Sequence, residues 1–387
     1  MQRPFYLLPL VVIAQFAGTS LWFAVNAILP SLQAIHVEVG TFMPTMTTAV
    51  QLGFVSGTLC YSYFSIADRF SPVRIFMISS WLASLCNLGV LLSYQSLEGL
   101  FIVRFGVGFF LAGVYPVGMK ICSDWYEIGL GKALGYLVGA LVLGTAFPYA
   151  IKSFSLKLPW EYVIWATSLL AVVGGLVVGV FTKDGPFRRV AGRFSPVMLR
   201  KVFEDSTFRG YAFGYFGHMF ELYTFWAFVP ILLDTYNHLT SHNLNVSLWT
   251  FLIIASGTLG CILTGEFSLR WGSHRTAWLA LSVSTVCCFL CIFLATFSSP
   301  IFLVFLFLWG ISVVGDSPQF STLVSQNAPP QYRATALTLV TSLGFFITIP
   351  SLYFTQWLFV QCGHYALAIL ALGGVFGLRA MQNLVSK

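Results

Sequence analysis

Charge is what this sequence has least of. Only 9% of its side chains are charged, against about 25% in an average soluble protein. Twenty basic and 13 acidic groups cannot cover the surface of 387 residues folded in water, which excludes two or three soluble domains. Also missing is any GxxxxGK[ST] phosphate-binding loop, so ATP hydrolysis is not expected to supply energy. The eight cysteines follow neither a zinc-site spacing nor a disulfide framework. Six of them (Cys60, Cys86, Cys261, Cys287, Cys288 and Cys291) lie inside apolar runs and read as small buried hydrophobes. His238-x-x-x-His242 has no acid between its imidazoles and falls in a loop, so no metal is expected there, nor any other cofactor.

What fills the chain is apolar. With 57% of residues hydrophobic, the bilayer is the expected solvent, and a span needs about 20 apolar residues to cross it. Such runs fall at 5–29, 45–66, 74–93, 99–121, 131–152 and 161–182, then at 208–233, 246–268, 275–297, 299–323, 333–355 and 363–382. The expected fold is therefore an all-α integral membrane protein of twelve spans. The first run is too long for a cleaved signal peptide and reads as a retained signal anchor. One long polar segment separates the two sets, so the expected organisation is a first bundle over 1–182, a basic linker over 183–206 and a second bundle over 207–387.

The net charge of +7 is unevenly placed. Six of the twenty basic residues fall between Lys183 and Lys201, whereas no loop on the opposite side holds more than two. The positive-inside rule accounts for this without nucleic acid as a partner. It puts the linker and both termini in the cytoplasm, together with Arg69, Arg74, Arg270, Arg275, Arg333 and Arg379, and leaves Lys152 and Lys157 outside. Asn245-Val-Ser forms a glycosylation sequon on that outer side.

The two halves repeat. Gly113, Tyr115–Pro116 and Pro148 recur 202 positions later as Gly315, Ser317–Pro318 and Pro350. Ala133–Leu134 recurs at an offset of 203, and Arg69 recurs as Arg270 at 201. Duplication of a six-helix unit predicts such a shared offset.

Between the second and third spans stands Phe64-Ser-Ile-Ala-Asp68-Arg69-Phe-Ser-Pro-Val-Arg74, and its counterpart is Gly265-Glu-Phe-Ser-Leu269-Arg270-Trp-Gly272. The fourth span carries Arg104-Phe-Gly-Val-Gly108. With twelve spans and a duplicated half, these stretches resemble the major facilitator superfamily, whose loop reads G-x-L-A-D-R-x-G-R-K and whose fourth span carries R-x-x-x-G. The first copy keeps Ala-Asp-Arg but replaces the glycines with Phe64 and Ser71. The second keeps its glycines and loses the acid at Leu269. The resemblance implies alternating access, with Asp68, Arg69, Arg74 and Arg270 as a cytoplasmic gate. The alternative for that cluster is a plain positive-inside helix end. The nitrate-porter branch is set aside, because neither the second nor the eighth span holds an arginine.

A charge in mid-span costs about 2.5–3.5 kcal/mol, so each one is a functional candidate. Glu221 sits near the middle of the seventh span, and His218 three residues earlier shares its helix face. Together they could load and release a proton, the alternative being a neutral glutamate bonded to a neighbouring helix. Asp316, before Pro318, reads as a substrate or proton site at a helix bend, or as a structural pair with a basic residue. Arg104 keeps its charge and must meet the cavity, an anion or an acid. The resemblance favours the cavity. Lys120, near a span end, reads as snorkelling to the headgroups. Tyr115, Trp226 and Asn26 are candidate cavity residues, while packing is the reading for Trp22, Gln51, Tyr136 and Tyr223.

The expected function is a secondary transporter, not an enzyme, moving a small organic solute through the inner or plasma membrane. Proton coupling and an anionic or zwitterionic solute are favoured, in a monomer. A multidrug or metabolite efflux pump is the alternative. A polytopic membrane enzyme or a non-transporting solute receptor would be the rivals of another class.

Overall fold

The computed structural model describes residues 4–34, 42–126, 130–154, 158–188, 202–329, 333–382 and 384, and these are helical nearly throughout. In hydrocarbon every backbone N–H and C=O must be satisfied internally, and a helix does this within one segment. Most of the linker (189–201) and Lys157 lie outside the described residues.

Nine helical stretches among the described residues are long and apolar enough to cross a bilayer. One of them, Ala336–Gln382, covers both of the last two expected spans. Leu7–Thr19 is apolar but short, because the first span is broken. Phe42–Tyr63 occupies the second expected span and carries a run of threonines and Gln51; it is not among those nine. All twelve expected positions are thus occupied by helix.

The chain folds as two compact units, residues 1–194 and 195–387. In the first, the second span packs on the fourth, the third on the fourth and sixth, and the first on the fifth and sixth. In the second, the eighth packs on the tenth, the ninth on the tenth and twelfth, and the seventh on the eleventh and twelfth. These are the same pairings six spans on.

The 202-residue offset is visible in local structure as well. Tyr115–Ser123 and Ser317–Asn327 each begin, with proline in the first turn, just after a break in the fourth or tenth span. Pro148 and Pro350 both lie inside continuous helices. Gly108 lets the fourth span approach so closely that an added Cβ would sit 2.0 Å from the Val50 carbonyl oxygen. At Gly310 the same atom would sit 2.5 Å from the Ile253 oxygen. Small residues at such crossings let membrane helices gain van der Waals contact where no hydrophobic force drives them together.

Candidate functional site

In the first unit the first span stops at Thr19 and restarts as Ala24–Ala27 and Leu29–Gln33. No proline causes the stop. Thr19 and Ser20 turn their hydroxyls back onto the Gln15 and Ala17 carbonyls, at 2.8 and 2.7 Å, competing with the helical ladder. The break releases the carbonyl of Trp22 and leaves that of Leu21 with one long bond, from the Ala24 N–H at 3.4 Å. Arg104 fills that gap, donating from Nη1 to Leu21 at 3.1 Å and from Nη2 to Trp22. It is completely buried, so backbone dipoles rather than a carboxylate hold this charge. Asn26, also buried, donates from Nδ2 to Thr47 Oγ1 at 2.9 Å. Tyr115 is half-buried at the restart of the fourth span.

The second unit is built differently. The seventh span, Ser206–Thr240, runs unbroken and carries His218, Glu221 and Trp226, all buried. Glu221 Oε1 accepts from Trp309 Nε1 at 2.7 Å, and Oε2 accepts from Ser284 Oγ at 3.1 Å. One turn away His218 Nδ1 stands 2.7 Å from Asp316 Oδ1, at ion-pair distance but without hydrogen-bond alignment. Asp316 lies at the junction of Ser299–Gly315 and Ser317–Asn327, where Pro318 was expected to bend the span. Thr264 Oγ1 caps the freed Gly315 carbonyl at 2.6 Å. The His218 ring is flanked by Tyr215 and Phe320, with centroids 5.7 and 5.8 Å away. Its Nε2 and the Asp316 Oδ2 meet no protein partner and no solvent. Trp226 packs edge-on against Tyr223.

The structure therefore brings His218 together with Asp316, and Glu221 with Trp309 and Ser284. His218 and Glu221 share a helix face yet engage different partners. Trp309 and Ser284 were not singled out from the sequence. The one signal there was that a buried indole N–H needs an acceptor.

At the loop between the second and third spans, Asp68 pairs with Lys120 at 3.0 Å, and Lys120 lies 3.6 Å from Asp124. Lys120 thus spends its charge on two acids near the span end. Burial pushes the Asp124 carboxyl above the usual carboxylate range, and Lys120 and Arg188 pull in the other direction. Arg188 Nη2 donates to the Asp68 and Phe70 carbonyls at 2.7 and 2.8 Å, and its Nη1 lies 3.5 Å from Asp184. Asp184 in turn accepts from Ser71 Oγ at 2.8 Å. The loop, the end of the fourth span and the residues after the sixth span are tied within one unit. Arg69 and Arg74 are exposed beside this network, and Arg270 is exposed at the end of the eighth span. The spacing Lys120-x-x-x-Asp124 was readable as a helical ion pair. The contribution of Asp184 and Arg188 was not, since it depends on how the chain leaves the sixth span.

At the level of sequence no curated protein matches the chain. Among solved structures, a point mutant of the nucleoside transporter NupG is similar over 98% of this chain and 99% of its own, with a TM-score of 0.72 and 14% identity. The human organic anion transporter MFSD10 (TETRAN) is similar over 98% and 100%, with a TM-score of 0.70 and 16% identity. At these identities the likeness establishes the fold alone. The sequence profile of the Major Facilitator Superfamily matches residues 7–352, and the chain belongs to that superfamily of membrane transporters.

Proposed function

We propose that this transporter is a proton-coupled secondary carrier of a small organic solute, working by alternating access between bundles 1–182 and 207–387. The observation that carries the reading is the His218–Asp316 pair. An imidazole and a carboxylate sit together out of water, each keeping one polar atom without a protein partner. An imidazole beside a carboxylate offers two places for one proton. Glu221, one turn on, is the third member of this proton path.

Arg104 and Lys120 lean towards an anionic or zwitterionic solute. Both are already engaged: Arg104 has its terminal nitrogens on carbonyls, and Lys120 is paired with two acids. Only Arg104 Nε lacks a partner. The nucleoside and organic anion carried by the structural relatives support a small organic cargo. The acids alone favour a second reading, export of a cationic drug or metabolite. Tyr115, Trp226 and Asn26 are assigned to the solute path. Asp68, Arg69, Arg74 and Arg270 are assigned to the cytoplasmic gate of a monomer in the inner or plasma membrane, with both termini inside.

The test is proton movement in proteoliposomes loaded with a pH-sensitive dye and challenged with alanine, choline, succinate and uridine. Wild type should acidify or alkalinise the lumen with at least one solute, whereas Asp316→Asn and Glu221→Gln should move solute without protons. Proton-coupled flux surviving in both variants would remove the acids from the coupling role.

A further inference from the structure

The second span holds a feature that proton coupling does not use. Gln51 is completely buried, and neither its Oε1 nor its Nε2 has a hydrogen-bond partner. Either assignment of the amide leaves both atoms unpaired. Two neighbours share the condition: Thr48 Oγ1 and Asn26 Oδ1 are buried without partners. Thr47, Thr48 and Gln51 lie at i, i+1 and i+4, on one arc of the helix. Asn26 joins that arc through Thr47. The opposite arc, with Val50, Gly53 and Gly57, is consumed by the fourth span. The polar arc is therefore not what holds the second and fourth spans together. Because Val50 abuts Gly108, one turn beyond Arg104, the arc stands level with the Arg104 clamp.

Leaving a buried donor and acceptor unmade destabilises a fold, whereas an apolar residue of the same shape removes that penalty. Several such atoms gathered on one arc point to a group that arrives from outside the protein. A carboxamide presents a coplanar donor and acceptor side by side. One hydroxyl engages them only singly, while another amide or imide edge engages both at once, as glutamine does with an adenine edge. No acid lies in the cluster, and Arg104 is clamped by carbonyls, so the partner edge is uncharged.

We infer that Gln51, with Thr48 and Asn26, forms a recognition subsite for a planar carboxamide or imide edge on the transported solute. This rests on the carrier reading above and adds the chemistry of the cargo's uncharged end.

The test is equilibrium binding to the purified full chain in detergent, read as a thermal shift. It needs no gradient, so failure of proton coupling and failure of the subsite are separable. Two matched pairs serve as probes: L-glutamine against L-methionine, and uridine against N3-methyluridine. At least one edge-bearing member should raise the Tm while its matched partner does not. In Gln51→Met the ligand-free Tm should rise, and affinity for that probe should fall about tenfold or more, the equivalent of one lost buried hydrogen bond. Thr48→Val, which is isosteric, should repeat the pattern with a smaller affinity loss and serves if Gln51→Met fails to fold. A fall in ligand-free Tm would mean that the amide is a structural tie, and would overturn the inference. So would silence from both glutamine and uridine, or equal shifts from the blocked members of each pair.

Discussion

The two units solve the same problem in opposite ways. Each is a six-span repeat with matching helix pairings, and each buries ionisable groups. The first unit breaks its leading helix and gives the freed carbonyls to Arg104. The second keeps its leading helix whole and holds Glu221 and His218 by side chains from other spans. An arginine clamped by backbone cannot shed its proton and has no second acceptor to choose. An imidazole facing a carboxylate can redistribute charge with little rearrangement. The buried cation of the first unit is thus held by main chain, and the proposed proton site lies among side chains of the second.

The sharpest way to break this contrast is to remove the constant charge. Arg104→Met leaves the Trp22 carbonyl buried without a donor and the Leu21 carbonyl with only the Ala24 N–H at 3.4 Å, which should destabilise the protein by about 2–3 kcal/mol. Thermal unfolding in detergent reads this loss. Arg104→Lys can reach one carbonyl at a time and should recover part of it. If Arg104 is constant in charge, the lysine variant should lower the transport rate without moving its pH profile, whereas Asp316→Asn should move the profile. A shifted profile in Arg104→Lys would erase the distinction between the units.

A second comparison lies in the scaffold. Gly108→Ala forces a Cβ to within 2.0 Å of a backbone oxygen, and Gly310→Ala to within 2.5 Å. Neither obstacle is a side chain that can swing away, so the helices must part. Overpacking of this kind costs about 1–3 kcal/mol. The upper end is expected at Gly108 and a smaller loss at Gly310, measured as the Tm difference of the two variants. Equal losses would mean that both crossings relax alike.

Much of this architecture was legible because a bilayer imposes one rule on every span. Composition and run length marked where helix falls along the described residues, and the offset of Pro116 to Pro318 and Pro148 to Pro350 pointed to the repeat. The break at Thr19 was not legible. Two hydroxyls bond back along the helix there, but Thr145 and Thr167 do the same inside unbroken helices, so no local pattern marks the stop. His218 and Glu221 were readable as a shared face. Their separate partners were not, since Asp316, Trp309 and Ser284 come from other spans and only packing brings them near. Lys120 reads as snorkelling because its helix end is visible in the sequence, whereas its pairing with Asp68, in the loop between two other spans, is not.

The smallest effect tests how the second unit holds its glutamate. Trp309→Phe keeps a ring against Phe225, which stacks at 4.4 Å, but removes the donor to Glu221 Oε1 and leaves a small void where the indole was larger. An acceptor left unsatisfied should cost about 2 kcal/mol. Ser284→Ala, losing the longer bond at 3.1 Å, should cost less. Because these partners are side chains, the penalty depends on what stands at position 221. In a double-mutant cycle, Glu221→Gln should therefore offset part of the Trp309→Phe loss, since a neutral amide is cheaper to leave unpaired than a carboxylate. No such compensating substitution exists for Arg104, whose partners are main-chain carbonyls. Strict additivity at 221 and 309 would mean that Glu221 is held as rigidly as Arg104, and the proposed division between a fixed and an adjustable unit would fail.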